Sequence, residues 1–268
     1  MRITAADGHE TALEVFGSAA DPTLLFLPGL GVPISYYEPF LSQLASVGFH
    51  VHGLELRGMP HSSITNVRNT DFGYTHILTL DIHAALAALP ADPAALVGHS
   101  LGGQLALLYA ALNPSFAAPL VAIASGSSFH GTVASRRGRR IRRRQVAAVP
   151  VIVRALGYFP GHRLGFGGRQ PKSVMRDWAL EGQTGRYAES LEAGLGAVHN
   201  GVLSITLDGD RLITEAAAAH LSERLTSASV STVRLQAEAN AGEPFDHFRW
   251  ARNNPAPVVR AITEFLGR

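Results

Sequence analysis

The stretch AALVGHSLGGQLALLYAAL, residues 94–112, constrains this chain more than any other. An apolar run of strand character leads into Gly98-His99-Ser100-Leu101-Gly102, and an alanine- and leucine-rich run of helical character follows. A strand that becomes a helix so abruptly crowds its own backbone, and glycine two positions to either side of the serine removes the Cβ atoms that would collide. The serine hydroxyl then stands exposed at the end of a strand. The helix start adds partial positive charge, and the backbone N–H of Leu101 points to where an oxyanion would form. Ser100 is therefore a candidate nucleophile, weighed against a serine that merely caps a helix.

The remaining chain supplies a frame for such a turn. Short β-like runs alternate with amphipathic helical runs, which predicts an α/β fold with a mostly parallel central sheet and helices on both faces. Residues 2–5 and 11–16 are expected to open the sheet as a hairpin, and TLLFLPG (23–29) reads as a strand buried on both sides and stopped by Pro28 and Gly29. A helix is expected over 36–45 and a strand over FHVHGLELRG (49–58). Leu78, Ile82, Ala85, Leu86 and Leu89 then recur at helical spacing before Pro90. AALVG (94–98) and PLVAIAS (119–125) read as strands flanking the helix after Ser100, which Asn113 and Pro114 close.

From residue 129 to about 200 the alternation breaks down. This segment holds an arginine run, the apolar VPVIVRALGYF, a glycine-rich loop and helix-like pieces around MRDWAL and ESLEAGLGAV. It reads as an insertion (129–200) in a core made of residues 1–128 and 201–268. The strand pattern resumes with GVLSITLDGD, followed by a helix through Ala217, Leu221 and Leu225 and a strand over about 231–237. A last helix carries Val259, Ile262, Phe265 and Leu266.

Composition narrows the classes. With 268 residues, 46% apolar and 16% charged, the chain suffices for one large domain. It has no cysteine, which excludes disulfides, zinc thiolates and cysteine nucleophiles. No apolar run reaches the roughly 18 residues of a membrane span, and the start lacks the basic-then-apolar order of a secretion signal, so a soluble cytoplasmic protein is expected. Twenty-two arginines face a single lysine, Lys172, and seven of them lie between Arg136 and Arg144. Such a run can meet an anionic carrier or lipid surface, or can be a solvated helix face. Without aromatic interleaving or a nucleic-acid motif, no nucleic-acid partner is expected. His50 and His52 share a strand face, but no carboxylate cluster stands near them in sequence, so no metal site is expected.

A serine hydroxyl is a weak nucleophile at neutral pH and requires a base, an acid to orient that base, and a second oxyanion donor. The elbow, followed in order by LSITLDGDRLIT and EPFDHFRWARNNP, resembles the α/β-hydrolase superfamily from Thr23 to the C-terminus. The resemblance places a cap or lid at the insertion. It implies Asp210 as the acid, with Asp208 as the alternative, and His247, the one histidine in the last forty-eight residues, as the base. It implies the backbone N–H of Leu30, in LPGLGVPISYY, as the second donor, with Gly29 and Gly31 allowing close approach of substrate. His99 is expected to be structural. Glu55 stands where many relatives carry aspartate, away from the triad.

Inside the insertion, GYFPGHRLGFGG, VMRDWAL and TGRY resemble a group of bacterial predicted α/β-hydrolases with a helical cap. Tyr158, Phe159, Leu164, Phe166, Met175 and Trp178 are candidates to roof an apolar pocket over Ser100. The implied activity is a serine hydrolase that cleaves a carboxylic ester or thioester of a small-molecule acyl substrate through an acyl-enzyme, without metal or cofactor. Serine at the elbow argues against the dehalogenase and epoxide-hydrolase branches, which place aspartate there. An acyltransferase or natural-product cyclase or synthase would use the same triad while excluding water. A non-enzymatic ligand receptor on this fold is the third class.

Overall fold

Apolar runs with no polar alternation build the middle of the sheet, because only a strand covered on both faces can bury every side chain. The computed structural model describes residues 1–236 and 245–268. Its strands are β1 (Arg2–Thr4), β2 (Glu10–Phe16), β3 (Thr23–Leu27), β4 (His50–Leu54), β5 (Ala95–His99), β6 (Leu120–Ile123), β7 (Tyr158–Pro160), β8 (Arg169–Pro171), β9 (Gly201–Leu207) and β10 (Ser229–Leu235). Eight of these form one sheet in the order β1-β2-β4-β3-β5-β6-β9-β10. Pairing is antiparallel at β1/β2 and β2/β4 and parallel from β4 through β10.

Every residue of β3, β4, β5 and β6 is buried. Successive side chains of a strand point to opposite faces, and the core divides accordingly. Leu25 and Leu27 join the cluster containing Leu105 and Leu108 of the helix after the elbow. Leu24 and Phe26 join the other, with Phe40, Trp250 and Ile262. At the edge, β10 has only exposed and half-buried residues.

Several boundaries differ from expectation. β4 stops at Leu54: the Glu55 N–H still bonds to Ala12 O, and the chain then turns at Arg57 and Gly58, with Gly58 at φ 81° and Arg57 drawn onto the buried Asp81. The helix anticipated from Leu78 begins at Tyr74 and passes through a π-helical stretch, Ile77–Ile82, before ending with His83–Ala87. Leu225 lies beyond the helix Glu215–Ser222 yet is buried in the core. The strand expected to reach Ala237 ends at Leu235, and Ala237 lies outside the described residues.

Between β6 and β9, the arginine run and VPVIV form one helix, Arg136–Leu156. Ser135 caps its start by accepting the Gly138 N–H, and Gly157, at φ 77°, ends it. Pro150 sits inside this helix and has no N–H to give the carbonyl of Val146, one turn back. Gln183, on the neighbouring helix Lys172–Thr184, donates its side-chain N–H to that carbonyl at 3.1 Å. The two helices approach closely because Gly182 faces Val146, where a Cβ would stand 2.6 Å from Cγ1. β7 and β8 form an antiparallel ribbon beside them. Val149, Val153, Phe159, Met175 and Ala179 make a small core of their own. Among the described residues no helix is long and apolar enough to cross a membrane.

Candidate active site

The elbow forms at the C-terminal end of β5. Ser100 adopts φ 53° and ψ −116°, a conformation that non-glycine residues rarely hold and that surrounding structure must enforce. Its N–H continues the sheet by donating to Ile123 O at 2.9 Å, and the helix Leu101–Leu112 starts immediately after. The flanking glycines are sterically required. A Cβ at Gly98 would lie 2.2 Å from the Gly102 carbonyl carbon, and one at Gly102 would lie 2.1 Å from Leu27 O.

His247 and Asp210 come to this serine from distant loops. The Ser100 hydroxyl donates to His247 Nε2 at 3.0 Å, and His247 Nδ1–H donates to Asp210 Oδ2 at 2.7 Å. Asp210 is aimed by its own loop, since Oδ1 accepts the N–H groups of Leu212 and Ile213 at 2.7 and 2.9 Å and leaves Oδ2 for the imidazole. Asp210 and His247 are buried, whereas Asp208 is exposed. Of the two carboxylates, the structure brings Asp210 to the histidine.

His99, adjacent to the serine, ties three loops together. Its Nε2 must carry the proton, because it faces the His247 backbone carbonyl at 2.8 Å. Nδ1 therefore accepts from the Tyr37 hydroxyl at 2.7 Å, and that hydroxyl accepts the Gly29 N–H at 3.0 Å. Burial, reinforced by the neighbouring His247, pushes the His99 pKa well below its usual value, so the ring is neutral. The elbow, the loop carrying Leu30 and the loop carrying His247 thus share one hydrogen-bonded chain.

Leu30 and Leu101 line the same pocket as Ser100 and His247. As the first residue of its helix, Leu101 has an N–H with no partner inside that helix. Of the aromatic and apolar candidates from the insertion, Phe166 and Trp178 line this pocket. The other four do not. Phe159 and Met175 are consumed by the small core between the two helices, Tyr158 packs against the main core, and Leu164 is exposed.

Sequence reasoning did not anticipate the contributions of Gln104, Ser128, Gly167, Leu212, Ile213 and Phe248 to the pocket wall, and it treated the arginine run as a whole without singling out Arg142. For Arg142 a signal existed, because it precedes the buried Val146, Val149 and Val153 in helical phase. For Gly167 it did not. That glycine matters because the insertion's glycine-rich loop meets the Leu30 loop backbone to backbone, so that a Cβ at Gly31 would lie 2.2 Å from Gly167 O. His50 and His52 contact one another, Nε2 of His52 facing Nδ1 of His50 at 3.3 Å.

A second Ser-His-Asp chain lies elsewhere. The Ser62 hydroxyl faces His9 Nε2 at 2.9 Å, and His9 Nδ1 faces Asp81 at 3.0 Å. Its chemistry is closed. Ser62 Oγ already accepts the N–H groups of Gly58 and Ile64, and Arg57 holds Asp81 through two bonds of 2.6 Å. All three residues are buried, and none lines the pocket of Ser100.

With this geometry in view, comparison with known proteins is direct. The sequence profile of the alpha/beta hydrolase fold family matches residues 22–142. An esterase from Exiguobacterium antarcticum superposes with a TM-score of 0.68 at 18% identity, covering 100% of this chain and 99% of that one. A monoacylglycerol lipase from Paleococcus ferrophilus gives a TM-score of 0.68 at 18% identity, with 96% and 98% covered. A protein of Mycobacterium phage D29 named as a non-heme haloperoxidase is 32% identical over 138 residues, 49% of this chain, and the match spans only 46% of that relative's length. The chain has the α/β-hydrolase fold.

Proposed function

We propose that this protein is a serine hydrolase that cleaves a carboxylic ester or thioester through an acyl-enzyme. The observation that carries the reading is the hydrogen-bonded chain from Ser100 through His247 to Asp210 at the floor of a pocket. Ser100 Oγ attacks the acyl carbon while its proton passes to His247 Nε2, and Asp210 stabilises the imidazolium so formed. The N–H groups of Leu30 and Leu101 receive the oxyanion. As the tetrahedral intermediate collapses, the bond to the alcohol or thiol breaks and His247 returns the proton to that leaving group. Water then attacks the acyl-enzyme with His247 again as base, releasing the acid and regenerating Ser100. The donors, base and nucleophile are all side chains or backbone groups, so the sequence of steps calls on no metal or cofactor. Residues 129–200 act as a cap over a core of residues 1–128 and 201–268, with Phe166, Gly167 and Trp178 forming the apolar part of its underside.

A fluorophosphonate probe followed by peptide mass spectrometry is expected to label Ser100 in the wild type and not in His247→Ala. Ser100→Ala is expected to lose p-nitrophenyl acetate hydrolysis by about a thousandfold or more while keeping its thermal unfolding profile. Retention of more than a few percent of activity, or labelling of another residue, overturns the nucleophile assignment. Asp210→Asn should lose activity and Asp208→Asn should keep it. Mass analysis of products formed with added alcohols and amines separates hydrolysis from acyl transfer.

A further inference from the structure

The seven arginines between Arg136 and Arg144 are not equivalent once the helix is folded. Val146, Val149 and Val153 are buried and define the inward face of the helix. Arg142 stands one turn before Val146 on that face and is half-buried, whereas Arg136, Arg137, Arg139, Arg140, Arg143 and Arg144 are exposed. Of the seven, Arg142 alone lines the pocket containing Ser100 and His247. It also lines an adjoining groove that shares Ser128 and Leu212 with the pocket and adds Arg211.

This guanidinium keeps its donors free for a ligand. Among the described residues no hydrogen-bond acceptor or carboxylate pairs with it. The acid whose charge it senses, Glu181, is already engaged by the hydroxyls of Ser127 and Ser128, by the Ser128 N–H and by Arg224. Among the described residues, no aspartate or glutamate lines either the pocket or the adjoining groove. A half-buried cation with five donors and no protein partner among the described residues gives the pocket a positive field. That field favours a bound anion, and a planar guanidinium matches a carboxylate or phosphate with two parallel hydrogen bonds.

We propose that Arg142 is the specificity residue of this site and that the acyl substrate of Ser100 carries a fixed negative charge, a carboxylate or phosphate. The inference rests on the acyl-enzyme reading above and narrows its substrate class to anionic esters or thioesters. The charge would sit at the junction between the pocket and the groove, beside Ser128, while the scissile carbonyl lies over Ser100. The six exposed arginines have no part in this recognition.

The test uses two matched substrate pairs and the full chain. p-Nitrophenyl hemiglutarate is compared with p-nitrophenyl 5-methylhexanoate, which has the same shape without the carboxylate. Acetyl-CoA is compared with S-acetyl-N-acetylcysteamine, which has the same thioester without the phosphates. In the wild type one charged member is expected to have the higher kcat/KM. The charged-to-neutral ratio for that pair is expected to fall about 10- to 100-fold in Arg142→Gln, the range of a charge-assisted hydrogen bond, and to recover in part in Arg142→Lys. Arg143→Gln, on the exposed face, should leave the ratio unchanged. A response of the glutarate pair places the charge on the acyl group, and a response of the CoA pair places it on the leaving group.

If esters are hydrolysed and Ser100 is labelled by fluorophosphonate, but neither ratio changes more than about threefold in Arg142→Gln, the anion inference falls and the acyl-enzyme reading stands. If no substrate turns over and Ser100 is unlabelled, the acyl-enzyme reading has failed, and calorimetric titration with glutarate and with pyrophosphate decides the anion site alone. Binding of either that is lost in Arg142→Gln supports it, and equal or absent binding in both proteins overturns it.

Discussion

Tyr37 and Glu55 are single buried polar groups whose removal has measurable consequences, the first at the site and the second in stability. The Tyr37 hydroxyl accepts the Gly29 N–H and donates to His99, all out of contact with water. Tyr37→Phe would leave a donor and an acceptor unpaired, a loss of about 1–3 kcal/mol each in a dry environment. Urea unfolding should register that destabilisation, and kcat should fall with it because the loop carrying Leu30 loses its anchor. Stability within about 0.3 kcal/mol of wild type would mean that the chain of bonds contributes little. Glu55 is fully buried, with Oε1 accepting the Ile34 N–H at 3.4 Å and Oε2 unpartnered among the described residues. Burial, aided by Glu14 and opposed by that N–H, pushes its pKa up to about 7. The folded value therefore exceeds the unfolded one. Its contribution is fully present below about pH 4.5 and is lost as pH rises to about 7, by up to about 3 kcal/mol. Glu55→Gln should flatten unfolding free energy over that window, and an unchanged slope would refute the assignment.

Among the elements, the helix Arg136–Leu156 depends on its neighbour for a bond it cannot make itself. Pro150 removes the donor for Val146 O, and Gln183 replaces it from across the interface. Gln183→Ala should therefore cost about 1 kcal/mol, the value of an ordinary buried hydrogen bond. In a Pro150→Ala background the restored N–H can reach Val146 O, so the same substitution should cost less. A double-mutant cycle by chemical denaturation measures the coupling, and strict additivity would show that Gln183 does not compensate for the proline.

For the whole molecule, burial and hydrogen-bond saturation separate two Ser-His-Asp chains of similar connectivity. Ser62 has both oxygen lone pairs occupied and lies outside the pocket onto which Ser100 opens. Fluorophosphonate labelling of the native protein is expected to modify the Ser100 peptide and leave the Ser62 peptide untouched. Modification of Ser62 in folded protein would contradict its closed environment. Ser62→Ala should lower stability by about 1–3 kcal/mol, since Gly58 and Ile64 lose an acceptor, and should leave ester hydrolysis in place.

What could be read from the sequence alone was local or ordinal. The apolar runs, their periodicity and the elbow glycines determined the parallel sheet and the strand-to-helix turn, because steric crowding over a few residues is a property of those residues themselves. The order of motifs after the elbow pointed to His247 and to two candidate carboxylates. The resemblance ranked Asp210 ahead of Asp208, and the tertiary structure shows why it is Asp210 that meets His247: a loop side chain is aimed by its loop's own hydrogen bonds toward a histidine 37 residues away. Only the tertiary structure decided that Phe166 and Trp178 line the pocket while Phe159 and Met175 fill a core, and that one arginine of seven turns inward. Each of these outcomes depends on which helix packs against which, across separations that reach 147 residues between Ser100 and His247. Periodicity assigns a face to a residue, and only packing determines what that face meets.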